Sequence, residues 1–318
     1  MSAVASDGQT WALVVNPVAG GGRGPGEWAA IGGILVRHGI RHQTIFTESP
    51  GHAMDLTRHL VERGARRFLV GGGDGLLNEV VNGLFTQSAI DPGAVTLACL
   101  PRGTGNDWSR TFGLPVDPAA AAAVIASGRT FEQTIGRVIY HEDGVERSRF
   151  FLNLCGVGFD AAVSRRLASN RAAGPVGPLK YQYHLLAALA GYHPTRMTVR
   201  LDGREICEQV LSLAVGIGRY NGGGMKQLPH AVPGGGLLAL TVIRPVSWLR
   251  AVRVLPRLYD GSFVGLPEIT TATASRVEVD SAPDCAVEAD GETLGGGPFR
   301  FEIVPRRLRV VIPPDWRS

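Results

Sequence analysis

Three glycine-rich segments are the places where this chain could hold phosphate. They cover residues 16–24, 71–75 and 101–107, and each follows a short apolar run typical of a buried strand. Glycine lets the backbone approach an anion closely and present several N–H groups to it. Three such loops at the ends of predicted parallel strands therefore indicate a polyphosphate site.

The second and third loops each lead into a helical pattern, whose positive N-terminal end favours an anion. The chain has no G-x-x-x-x-G-K-[ST] pattern, and residues 20–24 lack the spacing of a dinucleotide fingerprint. Asp74 lies within the second loop, where its carboxylate could reach Mg²⁺ or an acceptor hydroxyl. The alternative is an Asx turn that only stabilises the loop.

The first part of the chain alternates strand and helix patterns. Apolar runs at 11–15, 44–47, 67–70 and 95–100 predict strands, and apolar residues at helical spacing follow them. Asp117, Pro118 and Gly128 suit the N-cap, the first helical position and the C-terminal end of one helix. This alternation predicts a mostly parallel sheet with helices on both faces.

Extended segments separated by turns dominate from about residue 131. Predicted strands lie at 149–155, 196–201, 210–218, 237–243, 276–279, 286–289, 299–304 and 308–312. The Asp-Gly pairs at 202–203 and 290–291 suit tight hairpins. Helical patterns interrupt these segments at 180–189 and 248–259. We expect an antiparallel β-sandwich here.

The composition limits which classes of protein this chain could belong to. The chain has 318 residues, enough for two domains, with 44% hydrophobic and 19% charged residues. Its formal charge of +4 fits a nucleotide, a phosphorylated substrate or an anionic membrane surface as well as a merely solvated surface. Four dispersed cysteines indicate neither a disulfide framework nor a structural zinc site.

The loops belong to longer motifs. Residues 72–75 continue into Asn-Glu-Val-Val-Asn-Gly at 78–83, and residues 100–107 read Leu-Pro-Arg-Gly-Thr-Gly-Asn-Asp. With Asn16-Pro17, they resemble the catalytic domain of the diacylglycerol kinase family, which includes bacterial lipid kinases, sphingosine kinases and ceramide kinases. Residues 153–161, the glycines at 222–224 and the Asp-Gly-Glu at 290–292 are similar to later motifs of that family. The resemblance covers nearly the whole chain.

The resemblance implies an α/β nucleotide-binding domain like that of NAD kinase and phosphofructokinase, followed by an antiparallel β-sandwich domain. We place the first domain at 1–130, with a tail at 305–318 returning to it, and the second at 131–304. The implied reaction is transfer of the γ-phosphate of ATP, with Mg²⁺, to the hydroxyl of diacylglycerol or a related lipid alcohol. We expect the lipid to bind in the cleft between the two domains, lined by apolar residues near Phe159 and 179–189.

The resemblance also assigns roles to residues. Asp74, Asp290 and Glu292 are the catalytic candidates, with Asp74 also reaching magnesium through ATP; which carboxylate takes the proton stays open. The purely structural alternatives to these roles are a hairpin turn at 290–292, arginines that are only solvated, and a Glu79 that only favours the first turn of its helix. The nucleotide-binding candidates are Asn16, Gly20, Arg23, Gly72, Gly73, Gly75, Glu79, Arg102, Gly103, Thr104, Gly105 and Asn106.

Three departures from the family pattern leave alternatives open. Leu76 stands where bacterial diacylglycerol kinases usually carry Thr. The first loop reads Ala-Gly-Gly-Gly-Arg at 19–23, where the family often has Ser-Gly and a Lys. Residues 233–239 replace an acidic stretch, so we expect the auxiliary magnesium site of some relatives to be missing. An NAD kinase-like phosphotransferase and a catalytically weak lipid- or nucleotide-binding regulator remain the competing hypotheses.

Expectations about location and partners follow. The N-terminus lacks the pattern of a signal peptide, and no apolar run approaches the ~20 residues that span a bilayer. We expect a cytoplasmic protein, peripheral to the inner face of the membrane, with no nucleic-acid partner; a homodimer stays open. In 248–259, three arginines and an apolar set with Trp248 fall largely on different faces, which suits either transient membrane contact or packing on the sandwich.

Overall fold

The computed structural model describes residues 9–17, 24–169 and 178–317. They form two compact units, one within 1–134 and 305–318 and the other within 135–304. The sequence-based boundaries were 130/131 and 304/305. The first boundary of the structure lies inside a 13-residue strand, β5 (Thr130–Glu142), and a change of composition does not mark the middle of a strand.

The first unit contains five helices and a parallel sheet within its described residues. The helices are α1 (Gly24–Arg37), α2 (His52–Glu62), α3 (Asp74–Thr86), α4 (Asp107–Phe112) and α5 (Pro118–Ser127). The strands are β1 (Trp11–Val15), β2 (His42–Phe46), β3 (Arg67–Gly72), β4 (Thr96–Pro101) and the end of β15 (Glu292–Val311). They are ordered β2-β1-β3-β4-β15, with every pair parallel.

Both faces of this sheet are covered. Leu13 and Leu69 join one apolar cluster with residues of α1 and α5, including Trp28 and Ile125. Successive strand residues point to opposite faces, and the next residue, Val14, is also fully buried. The helices predicted on both faces of a parallel sheet are confirmed. Helix α5 has the predicted ends: the Asp117 carboxylate accepts the N–H groups of residues 119 and 120, and Gly128 has φ 68°.

The C-terminal segment belongs to the first unit. Ile312 donates its N–H to the carbonyl of Arg129 at 3.0 Å. The indole of Trp316 donates to the carbonyl of Thr111 at 3.0 Å and packs against Phe112, with ring centroids 5.2 Å apart. Aromatic packing thus holds this tail in place.

The second unit is a β-sandwich with helices on it. Its other strands are β6 (Val145–Phe151), β7 (Leu154–Gly158), β8 (Thr195–Leu201), β9 (Arg204–Val210), β10 (Ser212–Gly216), β11 (Leu238–Ile243), β12 (Ile269–Ala274), β13 (Arg276–Ala282) and β14 (Ala286–Ala289). Its helices are α6 (Phe159–Ser169), α7 (Pro178–Gly191) and α8 (Trp248–Asp260).

One layer of the sandwich is β12-β11-β10-β7-β14-β15, and β15 then continues into the other layer by pairing with β13, which pairs with β8; β8 in turn pairs with β9. These pairs are antiparallel. A buried cluster joins Val157 and Leu240 of the first layer with Val199 and Phe301 of the second. The predicted sandwich is confirmed.

The elements of the second unit match the predicted hairpins but differ from the predicted strands and helices in local detail. Both predicted hairpins form, with positive φ at Asp202 (43°), Gly203 (85°), Asp290 (47°) and Gly291 (89°). The strand predicted at 149–155 is two strands with a break at 152–153, and those predicted at 299–304 and 308–312 are one. Helix α6 and strands β5, β9 and β12 were not predicted.

Among the described residues, no helix combines the length and the apolar character needed to cross a bilayer.

Candidate active site

The ends of three parallel strands lie side by side in the first unit. Val15 pairs with Gly71, and Gly72 pairs with Pro101. Beyond the pairing, the N–H of Arg102 donates to the carbonyl of Gly72 at 2.9 Å. The second and third glycine loops are therefore joined, at the edge where open α/β sheets bind ligands.

Two glycines in these loops touch backbone to backbone. A Cβ built on Gly73 would lie 2.8 Å from the Cα of Gly103, and one on Gly103 would lie 2.4 Å from the Cα of Gly73. No side chain fits at either position without moving a main chain. Glycine is required here because the loops interlock, which brings their backbone groups together for a single ligand.

Asp74 joins the second loop to the helix after the third. Its Oδ2 accepts the N–H of Asp107 at 3.1 Å and its Oδ1 accepts the N–H of Trp108 at 3.0 Å. Burial raises the pKa of Asp74, and these backbone hydrogen bonds oppose the shift. The carboxylate thus caps α4, a structural role; each of its oxygens has a second lone pair with which to meet a metal ion.

The third loop is fixed by Asn106. This residue has φ 51°, and its side chain accepts the N–H and donates to the carbonyl of Gly103, both at 2.8 Å. Arg110 donates to the carbonyl of Gly105 at 3.2 Å. The loop that carries Thr104 is therefore shaped by protein contacts before any ligand binds.

Of the two arginines predicted to bind phosphate, the structure describes Arg102. The guanidinium of Arg102 pairs with Glu27 of α1, with both side chains mostly buried. Gly20 and Arg23 lie outside the described residues. Asn16 follows β1, where its N–H faces the carbonyl of Gly71 at 3.4 Å. Arg102 is already neutralised, so it contributes to a phosphate site only in company with Glu27.

Glu79 serves a neighbouring helix. Its carboxylate accepts the N–H of Gly51 at 2.9 Å and the N–H of Ala53 at 3.1 Å, at the start of α2. These are the N–H groups that an α-helix leaves without an internal partner. The contacts give Glu79 a capping role.

The loops suit a nucleotide better than a bare metal ion. Gly73 caps α3 and Gly75 lies in its first turn, where backbone N–H groups lack intrahelical partners and favour phosphate. No group of three His, Cys, Asp or Glu side chains in the described part of the chain could hold a metal by itself. Magnesium fits this region as an ion shared with phosphate oxygens, which is its usual mode.

In the second unit, Asp290 holds a break between two strands. Its carboxylate accepts the N–H groups of Leu152, Asn153 and Leu154 at 2.9, 3.0 and 3.1 Å. Its own N–H donates to the carbonyl of Leu154 at 3.0 Å. These bonds explain why the predicted strand 149–155 is interrupted. They also direct both carboxylate oxygens of Asp290 toward the backbone.

Glu292 is the more accessible carboxylate of this turn. Its side chain is 34% exposed and pairs with the guanidinium of Arg149 at 2.7 Å. A carboxylate held by one arginine yet open to solvent can accept a proton from a hydroxyl. The geometry therefore separates the two acids of the Asp-Gly-Glu turn: Asp290 fixes the backbone and Glu292 presents its carboxylate.

A buried polar chain lies behind this turn, and the sequence analysis assigned no function to it. Glu288 accepts the N–H of Gly291 at 2.8 Å and the amide of Asn221 at 3.2 Å. Asn221 donates to Gln227 at 3.1 Å, and Gln227 donates to Asp160 at 3.1 Å. Asp160 also accepts from the hydroxyl of Ser212. The signal available was the charged Glu288 within the apolar β14.

Both acids of this buried polar chain have pKa values above the ordinary range. Glu288 is fully buried, and the loss of hydration raises its pKa well above the ordinary value, with neighbouring Asp160 adding to the shift. Burial likewise raises the pKa of Asp160, against hydrogen bonds from Ser212 and Gln227. Together they belong to a buried hydrogen-bond network behind the Asp-Gly-Glu turn.

An apolar cavity lies on the sandwich beside α8. Helices α6 and α7 contribute Phe159, Leu185 and Leu189 to its lining, and α8 contributes Leu255 and Leu258. Asp160, Ser212 and Gln227 of the buried polar chain also reach the cavity. An apolar site with a few polar groups suits a ligand that is mostly hydrocarbon.

The family comparisons agree with this division. The model of the diacylglycerol kinase catalytic domain matches residues 10–138, and that of the YegS C-terminal NAD kinase beta sandwich-like domain matches 153–312. A diacylglycerol kinase of Mycobacterium tuberculosis is 34% identical over 304 residues, covering 94% of each protein. A diacylglycerol kinase of Staphylococcus carnosus is 26% identical and covers 89% of each.

A solved structure shares the fold. The crystal structure of a diacylglycerol kinase from Bacillus anthracis has a TM-score of 0.72 at 20% identity, covering 97% of this chain and 98% of that one. Because both domain models match in order and a relative above the 30% level covers almost the whole chain, the chain belongs to the bacterial lipid kinase family that joins a diacylglycerol kinase catalytic domain to a YegS-type β-sandwich, and it is a kinase.

Proposed function

We propose that this kinase transfers the γ-phosphate of ATP to the hydroxyl of diacylglycerol or a related lipid alcohol. The carrying observation is that the second unit holds both the accessible carboxylate of Glu292 and an apolar cavity with polar groups in its lining. A lipid alcohol is a hydroxyl attached to a long apolar body. It needs both features.

The nucleotide is assigned to the interlocked loops of the first unit. Backbone N–H groups at Gly73, Asp74 and Gly75 lie at the start of α3, where they favour the phosphates. The rigid loop 102–106 brings its own backbone next to them. Magnesium, when bound here, would neutralise the charge of the phosphates. Asp74 is the predicted carboxylate of these loops that would contact such an ion.

Glu292 is assigned the proton of the acceptor hydroxyl. Arg149 orients its carboxylate, and the turn fixed by Asp290 sets its place. A base must come within ~3 Å of the hydroxyl that it serves. Among Asp74, Asp290 and Glu292, which the sequence left open, the backbone N–H groups that the first two carboxylates accept favour Glu292 for this role.

The cavity beside α8 is assigned to the hydrocarbon of the lipid. A filled-cavity variant tests this, and α7 supplies a matched pair: Leu189 lines the cavity, whereas the next residue, Ala190, is exposed. We expect Leu189→Trp to lower transfer to lipid by tenfold or more while Ala190→Trp leaves it within about twofold. Equal effects of the two variants would remove the cavity from the lipid site.

The first experiment is phosphate transfer from γ-labelled ATP with Mg²⁺. Mixed micelles present diacylglycerol, monoacylglycerol, a sphingoid base or an isoprenoid alcohol, and NAD serves as the control acceptor. We expect label in a lipid, most in diacylglycerol. Label on NAD alone would favour an NAD kinase-like phosphotransferase. No label on any acceptor, with ATP still bound, would favour a catalytically weak binding protein.

A further inference from the structure

Helix α8 has two sides that face different surroundings. It runs from Trp248 to Asp260, capped by the hydroxyl of Ser247 and by Gly261, and none of its residues is fully buried. Arg250, Ala251, Val254, Leu255 and Leu258 line the apolar cavity. The helix is therefore the wall between that cavity and the outside.

The outward side of α8 is apolar. Trp248 is 48% exposed, Leu249 is 70% exposed and Val252 is 38% exposed. No other helix in the described ranges exposes three large apolar side chains. Single exposed apolar residues are normal on a soluble protein, but a group of them on one helix marks an interaction site.

The arginines of α8 divide between the two sides. Arg250 pairs with Glu268 at 3.1 Å, and Arg257 donates to the backbone carbonyl of Ser262 at 2.6 Å. Arg253 is exposed and makes no hydrogen bond or ion pair with the described residues. The helical spacing predicts the three arginines on a face largely different from that of Trp248 and Leu255. In the structure Arg253 shares the exposed side with the apolar group, and Leu255 turns inward.

We propose that Trp248, Leu249, Val252 and Arg253, the docking face, bind an anionic phospholipid bilayer. Trp favours the membrane–water interface, and Leu and Val gain from leaving water for the acyl region. The exposed cation of Arg253 complements a negatively charged headgroup layer. This combination of apolar residues with a free arginine favours an anionic bilayer over a second copy of this chain, whose own docking face would carry the same charge.

Docking also explains the place of the cavity, a step that rests on the proposed function. Because the inner side of α8 lines the cavity, a bilayer against the outer side would lie one helix away from the site assigned to the hydrocarbon. A lipid then moves from membrane to cavity past a single helix. Docking itself does not require that the lipid be phosphorylated.

Vesicle flotation of the full chain tests the docking face. Vesicles contain phosphatidylcholine alone or phosphatidylcholine and phosphatidylglycerol in equal amounts. Trp248→Ser with Leu249→Ser removes the apolar contacts, with Val145→Ser as the control at an exposed site on another part of the unit. Arg253→Glu reverses the charge, with Arg204→Glu as the exposed control.

We expect the wild-type protein to float with phosphatidylglycerol vesicles and not with phosphatidylcholine alone. The apolar double variant should bind on the order of tenfold more weakly. Arg253→Glu changes two unit charges and should weaken binding about thirtyfold, since each charge near the surface contributes about 1 kcal/mol. Both controls should bind as the wild type does.

Two outcomes would overturn the proposal. One is flotation of the docking-face variants like that of the wild type. The other is an equal loss in the controls. Sedimentation without lipid adds a check: a dimer that the double variant converts to monomer, with flotation unchanged, would make this face an interface between copies of the chain.

Activity separates docking from the proposed function. With a short-chain, water-soluble diacylglycerol, the docking-face variants should transfer phosphate within about twofold of the wild type, and they should fail only with vesicle-bound lipid. Loss on the soluble lipid as well would contradict a docking role. A wild-type protein that floats through α8 but phosphorylates no lipid would refute the proposed function and leave docking standing.

Discussion

The glycine junction of the first unit and the Asp-Gly-Glu turn of the second each use one carboxylate to hold the backbone. Asp74 accepts two backbone N–H groups and thereby joins two loops. Asp290 accepts three and thereby holds a break between two strands. The second unit adds a carboxylate, Glu292, whose side chain is 34% exposed and pairs with the guanidinium of Arg149.

The comparison distinguishes carboxylates that hold the backbone in place from the carboxylate that we propose as the base. A carboxylate that accepts two or three backbone N–H groups uses half or more of its lone pairs for the fold. Asp74 and Asp290 therefore shape the places where substrates would bind. The chemical role is the one that we propose for Glu292, whose side chain is partly exposed. Each of the following predictions tests one side of this division.

The largest effect is expected at Glu292. Glu292→Gln keeps the shape of the side chain and removes its basicity, so kcat for transfer to a lipid alcohol should fall about 10²- to 10⁴-fold with little change in stability. Glu302→Gln is the matched control, because Glu302 lies on the same strand and also pairs with an arginine, Arg137. An equal loss of kcat in both variants would indicate that the effect comes from breaking an ion pair and not from removing the base.

A large loss of stability is expected at Asp290. Asp290→Asn replaces an acceptor of three backbone N–H groups by an amide that must turn its own donor toward them, which should cost about 3 kcal/mol or more. The midpoint of thermal unfolding should fall by about 6 °C or more. Asp284→Asn is the control, because Asp284 is exposed and accepts a single backbone N–H, from Gly297. Unfolding midpoints that agree between the two variants would remove the positioning role.

The buried acid behind the turn predicts a pH dependence. The pKa of Glu288 is raised above its ordinary value of 4.5 by burial, so its contribution to stability is present below that pH and is lost as the pH rises toward the raised value. Glu288→Gln removes the ionisation. Its unfolding free energy relative to the wild type should therefore increase with pH, by up to about 1.4 kcal/mol per pH unit.

Denaturant unfolding between pH 5 and pH 8, at about one-unit steps, measures that slope. Glu146→Gln, at an exposed position of the β5–β6 hairpin, is the control and should track the wild type. A difference between Glu288→Gln and wild type that stays flat over the range would show that Glu288 ionises in the folded protein as it does in the unfolded chain.

The smallest effect is expected at Glu79. Glu79→Gln weakens the cap of α2 and should cost about 1 kcal/mol of stability, with the KM for ATP unchanged within about twofold. Glu62→Gln, at the exposed end of the same helix, is the control. A large rise in KM for ATP without loss of stability would instead support the nucleotide-binding role that the motif suggested.

Much of the fold was accessible from the sequence because local patterns coincide with it. The strand-and-helix alternation predicted the parallel sheet, and the caps of α5 were identified from Asp117, Pro118 and Gly128. Hairpins at Asp202-Gly203 and Asp290-Gly291 followed from the conformational tolerance of Asp and Gly. Helix α6 was missed because it begins directly after β7, at Phe159, with no N-cap residue between the two.

The sequence by itself determined which residue types form the loops and turns, since positive φ and close backbone contact select Gly, Asn and Asp. Only the tertiary structure decided what each carboxylate does. Asp74 meets the N–H groups of a helix 33 residues further along, and Asp290 meets a strand break about 137 residues earlier. No local pattern encodes which donors a distant fold will bring to a side chain. For that reason the motifs marked both acids as reactive, and their contacts in the folded chain show them positioning the backbone.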